Sequence, residues 1–340
     1  MRLGFPTEDN NKKPTTHPHK KMRLGFPTTP SPSETVSEPP KTKPPKIVIP
    51  SRLGFPTTPH RPKLQRPIVS LNPPINCIAS AETELPKDLV SIIILSYNTF
   101  KVTFTCIESV LEQTVHPFEL FVVDNGSRDG TVDWLRTQKY LTLIANQQNL
   151  GYSTANNLAI RRARGEYVCL LNSDIIVRTG GWLGHMVNVA KSSPLVGTVG
   201  AKLLYPDNKI QHIGGGIHES SPYHPYDKHP ANTKVANRDV PYNTGACLLI
   251  TRPALNMVGL LDETYPFGFE DVDYGLRVVE KGLKNIVCHE AVLTHLWAYT
   301  QRTTGKGLTT SSLSRFHVKW DNKLPALAKK ITLDWGAPYA

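Results

Sequence analysis

Residues 89–98 read LVSIIILSYN, an apolar run that stops abruptly at polar side chains. A continuous Leu, Val and Ile stretch broken only by Ser91 suits a strand covered on both faces, as in a parallel sheet with helices above and below it. The same reading repeats along the chain, predicting strands at 120–123, 141–145, 167–171, 196–200 and 246–250. Between them, residues 102–113, 131–138 and 153–164 carry apolar side chains at helical spacing. The alternation predicts an α/β fold, an open and mostly parallel sheet with helices on both faces. In such sheets ligands sit beyond the carboxyl ends of the strands, so the residues that follow each strand are the first candidates for chemistry.

Outward from this region the composition shifts. The chain has 340 residues and a formal charge of +11, yet residues 1–86 hold 18 of its 29 prolines and a net +7 from 13 basic and 6 acidic side chains. A stretch so rich in Pro, Lys, Thr and Ser cannot bury enough apolar area to offset chain entropy, and it reads as a disordered tail. That leaves 87–300 for the globular domain and 301–340 for a C-terminal loop and helix. Within the tail, RLGFPT stands at 2–7, 23–28 and 52–57. The unequal offsets exclude a solenoid, which needs a fixed period. Two readings stay open for these copies: a translated DNA repeat, or three tethered docking sites for a protein partner.

Five cysteines, odd in number and without a Cys-x-x-Cys pair, exclude a disulfide-stapled secreted scaffold. No apolar run approaches the ~20 residues of a bilayer span, and no charged-then-apolar signal segment is evident. The expected location is the cytoplasm, with a peripheral contact at the inner face of the membrane that the basic tail would favour. Nothing resembles a nucleic-acid module, so no nucleic-acid partner is expected.

The first strand runs into Ser96-Tyr97-Asn98 without a phosphate-binding glycine fingerprint, which argues against a dinucleotide dehydrogenase. The Gly305-Lys306 pair lacks the upstream glycine of a P-loop. The second strand ends at Asp124, in Asp-Asn-Gly-Ser, which is turn chemistry and also places a carboxylate where a nucleobase or ribose could be held. The fourth ends in Asn172-Ser173-Asp174. Asp174 reads either as a helix cap or as an anchor for magnesium or manganese, which prefer oxygen ligands. Further on, Glu270, Asp271 and Asp273 open a predicted helix that runs to Lys281, with Gly282 as its stop. Asp273 is explained by an i, i+4 pair with Arg277. Glu270 and Asp271 follow Phe267-Gly268-Phe269, an apolar wall suited to a carboxylate base. His295 lies alone on an apolar segment, and local sequence reads it as a core histidine.

Taken in order, SIIILSYN (91–98), VVDNGSRDGT (122–131), NLGYSTANN (149–157), RGEYVCLLNSD (164–174), TGACLLI (244–250) and GFEDVDYGLR (268–277) resemble the family 2 glycosyltransferases. With VGTVGAKLLYPDNKIQHIGG (196–215) the likeness is to the bacterial rhamnosyltransferase-like branch. The resemblance implies a Rossmann-like GT-A fold, a nucleotide-diphosphate-sugar donor (UDP- or dTDP-linked), a divalent cation (Mn2+ or Mg2+), and transfer with inversion. It implies that Asp124 holds the nucleoside with Ser96 and Asn98 beside it, and that Gly151, Asn157, Asn172 and Gly245 border the donor. Asp174 matches the last acid of the metal motif, whose first acid is here Asn172. His295 matches the histidine that completes metal coordination. Asp271 is the expected base, with Glu270 second to it.

The expected reaction is a single displacement: a carboxylate takes the proton of an acceptor hydroxyl on a polysaccharide, lipid-linked or protein-linked glycan as diphosphate leaves. Arg302 or Lys306 near the C-terminus reads as a lid over the diphosphate, or else as a solvated basic tail. Two other functions remain open at this stage: a sugar nucleotidyltransferase, which would need a phosphate loop that 96–101 does not supply, and a non-catalytic sugar-nucleotide-binding scaffold.

Overall fold

A computed structural model of the chain describes residues 77–78, 84–296 and 310–333. Strands and helices alternate through the first half: β1 (Val90–Ser96), α1 (Phe100–Gln113), β2 (Phe118–Asp124), α2 (Thr131–Leu135), β3 (Leu141–Ala145), α3 (Tyr152–Ile160) and β4 (Tyr167–Asn172). Then come β5 (Ile175–Val177), α4 (Trp182–Lys191), β6 (Val196–Leu204), β7 (Ile210–His212), β8 (Gly216–His218), β9 (Ser221–Tyr223) and β10 (Arg238–Val240). β11 (Cys247–Thr251), α5 (Arg252–Val258), α6 (Glu270–Glu280), β12 (Lys284–His295), α7 (Thr310–Trp320) and α8 (Leu324–Leu327) complete the described elements.

The predicted strands are all present. Helix α2 is shorter than expected because its end tightens into i→i+3 bonds, Thr137 N–H to Trp134 O and Gln138 N–H to Leu135 O, both 3.0 Å. The apolar run of β1 is explained by its central place. Ile93 packs with Ala155 and Ala159 of α3, while Ile92 and Ile94 are equally buried on the opposite face.

The main sheet has the order β10-β12-β6-β11-β4-β1-β2-β3, with β5 on β12 and β7 on β6. Its β4-β1-β2-β3 half is parallel. β11 runs antiparallel between β4 and β6, so the sheet is mixed where the sequence suggested a further parallel strand. β12 is parallel to β6. The carboxyl ends of β1, β2, β4, β6 and β12 therefore share one edge with the start of β11.

Two boundaries differ from expectation. Cys77 and Ile78, inside the stretch read as disordered, lie against β2, where Ile78 N–H donates to Phe118 O at 2.7 Å. The RLGFPT copies lie outside the described residues. At the other end, α7 is packed on α6: Phe316 and Trp320 join Tyr242, Tyr265, Val272 and Leu276 in one apolar cluster. The residues proposed as a lid, Arg302 and Lys306, lie outside the described residues. Among the described residues no helix is long and apolar enough to cross a membrane.

The joint between α6 and α7 is polar at its centre. Asp273, fully buried, accepts from Arg277 Nε at 2.8 Å and from Trp320 Nε1 at 2.9 Å, and pairs with Lys319 Nζ at 2.7 Å. The i, i+4 pair read from the sequence is thus also the pin for the C-terminal helix. Removing one member of a buried charge pair strands the other in low dielectric. Asp273→Ala should lower unfolding stability by about 3–5 kcal/mol, read from urea denaturation midpoints.

Candidate active site

The loops after β1 and β2 are tied together. Asn98, in a left-handed conformation (φ 53°), donates its N–H to Ser127 Oγ (2.7 Å) and accepts Arg128 N–H at Oδ1 (2.8 Å). Asp129 Oδ2 accepts Phe100 N–H at 2.8 Å, satisfying an otherwise orphaned donor at the start of α1. Ser96 is fully buried in a hydroxyl cluster, 2.9 Å from Thr103 Oγ1 and 3.3 Å from Thr99 Oγ1. It supports the loop from beneath.

Asp124 is fully buried, and its Oδ1 accepts Gly126 N–H (3.0 Å) and Ser127 N–H (2.7 Å). Its Oδ2 has no hydrogen-bond partner. Burial pushes the carboxyl above the usual range, against the opposing pull of those N–H donors. An orphaned buried acceptor of this kind suits a ligand that brings its own donor, such as an imide N–H or a ribose hydroxyl.

At the end of β4, Asp174 meets His295 at the end of β12. Asp174 Oδ1 is 3.1 Å from His295 Nε2, and His295 Nδ1 is 2.7 Å from Gln211 Oε1. The pairing of β5 with β12 sets this contact, because His295 faces Ile175, the residue after Asp174. An amide oxygen can only accept, so His295 Nδ1 donates to Gln211. The carboxylate of Asp174 and the imidazole of His295 are donors that fit a divalent cation. Among the described residues no group of three or more His, Cys, Asp or Glu forms a metal cage. The pair therefore suits a cation that keeps waters and takes further oxygens from a ligand.

The Glu270-Asp271 pair is aimed by strained backbone. Gly268 (φ 82°) and Phe269 (φ 70°) are both left-handed, and Phe269 is the residue before α6. A bulky residue with positive φ is uncommon and marks a position held by its surroundings. Glu270 is buried, its Oε2 has no hydrogen-bond partner, and burial followed by repulsion from Asp271 pushes its pKa up to about 8. Asp271 is half-buried, its Oδ2 accepting Gly245 N–H at 2.9 Å. Gly245 is required there: an added Cβ would lie 2.8 Å from Tyr152 Oη, which donates to Gly245 O at 2.6 Å.

Beside these groups lies a cleft of about 480 Å3, lined by Asn172, Tyr205, Gln211, His212, His224, Asp227, Thr244, Ala246 and His295. Asp174 is hydrogen-bonded to one lining residue, His295, and Asp271 to Gly245, which stands between the lining residues Thr244 and Ala246. The lining residues between 205 and 227 were not singled out in the sequence, because that stretch has neither strong periodicity nor a charge cluster. Thr244 N–H donates to His212 Nε2 at 3.2 Å, so His212 Nδ1 carries the proton and donates to His224 Nδ1 at 3.0 Å. Burial pulls both imidazoles below their ordinary pKa, His212 strongly, and the pair is neutral at pH 7.

Asn157 departs from its expected place beside the donor. Its amide is committed to the fold, donating to Leu261 O (2.9 Å) and Glu263 Oε1 (2.8 Å) and accepting Leu261 N–H (3.1 Å). Gly151 precedes α3 with φ 82°, and its N–H and carbonyl are bound by Asn149 and Asn125. The structure thus places Asn98 and Asp124 at the ends of β1 and β2, Asn172 and His295 in the cleft lining with Asp174 bound to His295, and Asp271 bound to Gly245, while Ser96 and Asn157 are engaged within the scaffold.

Residues 91–259 match the sequence profile of glycosyl transferase family 2. They are a family 2 glycosyltransferase domain. The architecture of this glycosyltransferase is GT-A, similar to the crystal structure of GalNAc-T7 with UDP, GalNAc and Mn2+ (TM-score 0.56, 15% identity, 71% of this chain and 50% of that one). In sequence it is 36% identical to the Sinorhizobium fredii protein y4gI, over 61% of this chain and 24% of that protein. It is 30% identical to the O-antigen biosynthesis protein RfbC of Myxococcus xanthus, over 56% and 16% respectively. It is 27% identical to the N-acetylglucosaminyl-diphospho-decaprenol L-rhamnosyltransferase of Mycobacterium tuberculosis, over 63% and 78%. The matches thus span less than a quarter of the first two proteins and most of the third.

Glu270 makes the domain sensitive to pH. Its folded pKa lies above the ordinary 4.5, so the folded state binds more protons than the unfolded one between about 4.5 and about 8. Its contribution to stability is complete below pH 4.5 and is lost as pH rises through about 8. Glu270→Gln should flatten this decline, seen as a smaller difference in melting temperature between pH 5 and pH 8.5 than in the parent protein.

Proposed function

We propose that the protein is an inverting glycosyltransferase that moves a sugar from a nucleotide-diphosphate-sugar to the hydroxyl of a glycan, lipid-linked or protein-linked acceptor. The observation that carries this reading is the cleft at the strand ends: His295, bound to Asp174, lines it, and so do Thr244 and Ala246, which flank the Gly245 that holds Asp271.

In this mechanism Asp124 accepts hydrogen bonds from the nucleoside, and the Asn98-bound loop fixes its backbone. Asp174 and His295 would hold a divalent cation, which when bound supplies Lewis-acid stabilisation to the charge growing on the diphosphate. The acceptor oxygen bonds to the anomeric carbon on the face opposite the diphosphate, and the old carbon–oxygen electrons depart with that group. The acceptor proton passes to Asp271. Glu270 is poorly suited to this task because it is largely protonated at pH 7; Asp271 is more accessible and its pair partner Glu270 adds little competing charge. Gly245 N–H orients the carboxylate for the transfer.

Similarity to the mycobacterial rhamnosyltransferase supports a deoxyhexose donor and a lipid-linked glycan acceptor, and with it a peripheral contact at the cytoplasmic face of a membrane. The RLGFPT copies would then serve as docking peptides for a protein partner.

A positioned carboxylate base contributes on the order of 100- to 10,000-fold. Asp271→Asn should lose turnover by that factor with Mn2+ present while calorimetry still detects nucleotide binding. Undiminished transfer in this variant would refute the assignment. Asp174→Ala should separately abolish the stimulation of turnover by added Mn2+.

A further inference from the structure

Helix α7 buries a single row of side chains, Ser312, Phe316 and Trp320, spaced four residues apart, while its other side chains are exposed or half-buried. Phe316 and Trp320 are explained by apolar packing on α6. Ser312 is not: it is fully buried, yet it has almost no apolar surface to hide. Its place in the row is explained by what its hydroxyl holds.

It holds Phe267. Ser312 Oγ donates to Phe267 O at 2.9 Å and accepts Phe267 N–H at 3.4 Å, so one side chain engages both backbone polar groups of a single residue. Phe267 opens the turn in which Gly268 (φ 82°) and Phe269 (φ 70°) are left-handed. A bulky residue at positive φ persists only where its surroundings over-determine it. Phe267, Gly268 and Phe269 are each only half-buried, so deep core packing is not what restrains them. Two restraints come from α7 instead: Ser312 on the Phe267 backbone, and the Phe316 ring against the Phe269 ring with centroids 5.4 Å apart. One turn further along, Lys319 and Trp320 take the Asp273 carboxylate. The contacts advance in step, 312 on 267, 316 on 269 and 320 on 273. Asp271, whose Oδ2 accepts Gly245 N–H, lies inside the span gripped in this way.

We propose that Ser312 is a positioning residue for the Glu270-Asp271 turn: its hydroxyl clamps the Phe267 backbone, and with Phe316 it keeps Gly268 and Phe269 left-handed and Asp271 aimed at Gly245. The consequence for transfer rests on the glycosyltransferase reading, whereas the clamp itself does not. A carboxylate base acts through its geometry, and a misplacement of about 1 Å caused from outside the reacting centre costs on the order of 100-fold.

The test uses the full chain and two readouts. Amide hydrogen exchange of residues 266–272, followed by mass spectrometry, reports on the turn without turnover. Hydrolysis of UDP-glucose and of dTDP-L-rhamnose with Mn2+, in which water replaces the acceptor, gives kcat and KM. Ser312→Ala removes the hydroxyl from both Phe267 groups and should speed exchange in the turn by about tenfold. It should lower kcat by about 10- to 100-fold while KM for the sugar nucleotide stays within about twofold of the parent. Phe316→Leu keeps an apolar side chain but loses the ring on Phe269, and should move both readouts in the same direction. Leu324→Ala is the control: it takes packing from α8 in the same apolar cluster and leaves the Ser312 and Phe316 contacts in place. It should lower the melting temperature at least as far as Ser312→Ala, with turn exchange and kcat within about twofold of the parent. Should Ser312→Ala fail to fold, Phe316→Leu carries the same expectations.

Parent-like exchange in the turn of the Ser312→Ala variant would overturn the clamp. So would a Leu324→Ala variant that moves both readouts as far, since lost stability alone would then explain them. Faster exchange with parent-like kcat would overturn the aiming of Asp271. A parent protein that turns over neither sugar nucleotide would count against the glycosyltransferase reading, and exchange in the turn would still decide the clamp.

Discussion

The antiparallel insertion of β11 is the constraint from which the site follows. Entering between β4 and β6 against their direction, it brings its own beginning, Thr244 to Ala246, to the edge where the parallel strands end. A parallel strand there would have put those residues at the far edge of the sheet. Because β11 starts where the others stop, its backbone becomes the floor of the cleft. Gly245 holds Asp271 through its N–H, and Thr244 holds His212 through its own. Two elements distant in sequence, α6 and β7, are thereby registered on one peptide segment.

Charge is distributed unevenly around that floor. Glu270 and Asp271 are neighbours at the start of α6, where the helix N-terminus favours negative charge. Full burial of Glu270, followed by repulsion from Asp271, pushes its carboxyl well above the ordinary range. Asp273, the third acid, is consumed by Arg277, Lys319 and Trp320 and pins α7 against α6. Three acids within one helical turn thus have three environments, and of the three only Asp271 is half-buried, its carboxylate oriented by Gly245.

The legible part of the fold was the part made of continuous apolar strands. β1, β2 and β4 are buried on both faces, and their hydrophobic runs say so locally; β3, at the edge of the sheet, is only half-buried. The short strands β5, β7, β8, β9 and β10 were not legible, since three residues carry too little pattern to announce a strand. The site divides in the same way. Asp124 and Asp174 could be singled out as candidates because each follows a readable strand, and Asp271 because it sits in an acidic cluster after an aromatic and glycine run. Gln211, His212, His224 and Tyr205 could not, because their meeting depends on an irregularity where β7 pairs with β6 and on loop closure over the sheet edge. Asn157 was misplaced for a related reason: a polar residue at a helix start looks like a ligand-binding group until the loop at 261–263 is seen to take up its whole amide.

By itself the sequence determined the layering of the domain, the positions of its parallel strands along the chain and the residues standing at their carboxyl ends, because burial on both faces of a sheet and turn chemistry are local properties of a chain. Only the tertiary structure decided which of those ends lie near one cleft, which way the β11 floor runs, which of two adjacent carboxylates is fully buried and which amide steadies His295. These depend on strand direction, on burial by distant segments and on a one-residue irregularity in strand pairing, none of which leaves a mark within a few residues of the groups it controls.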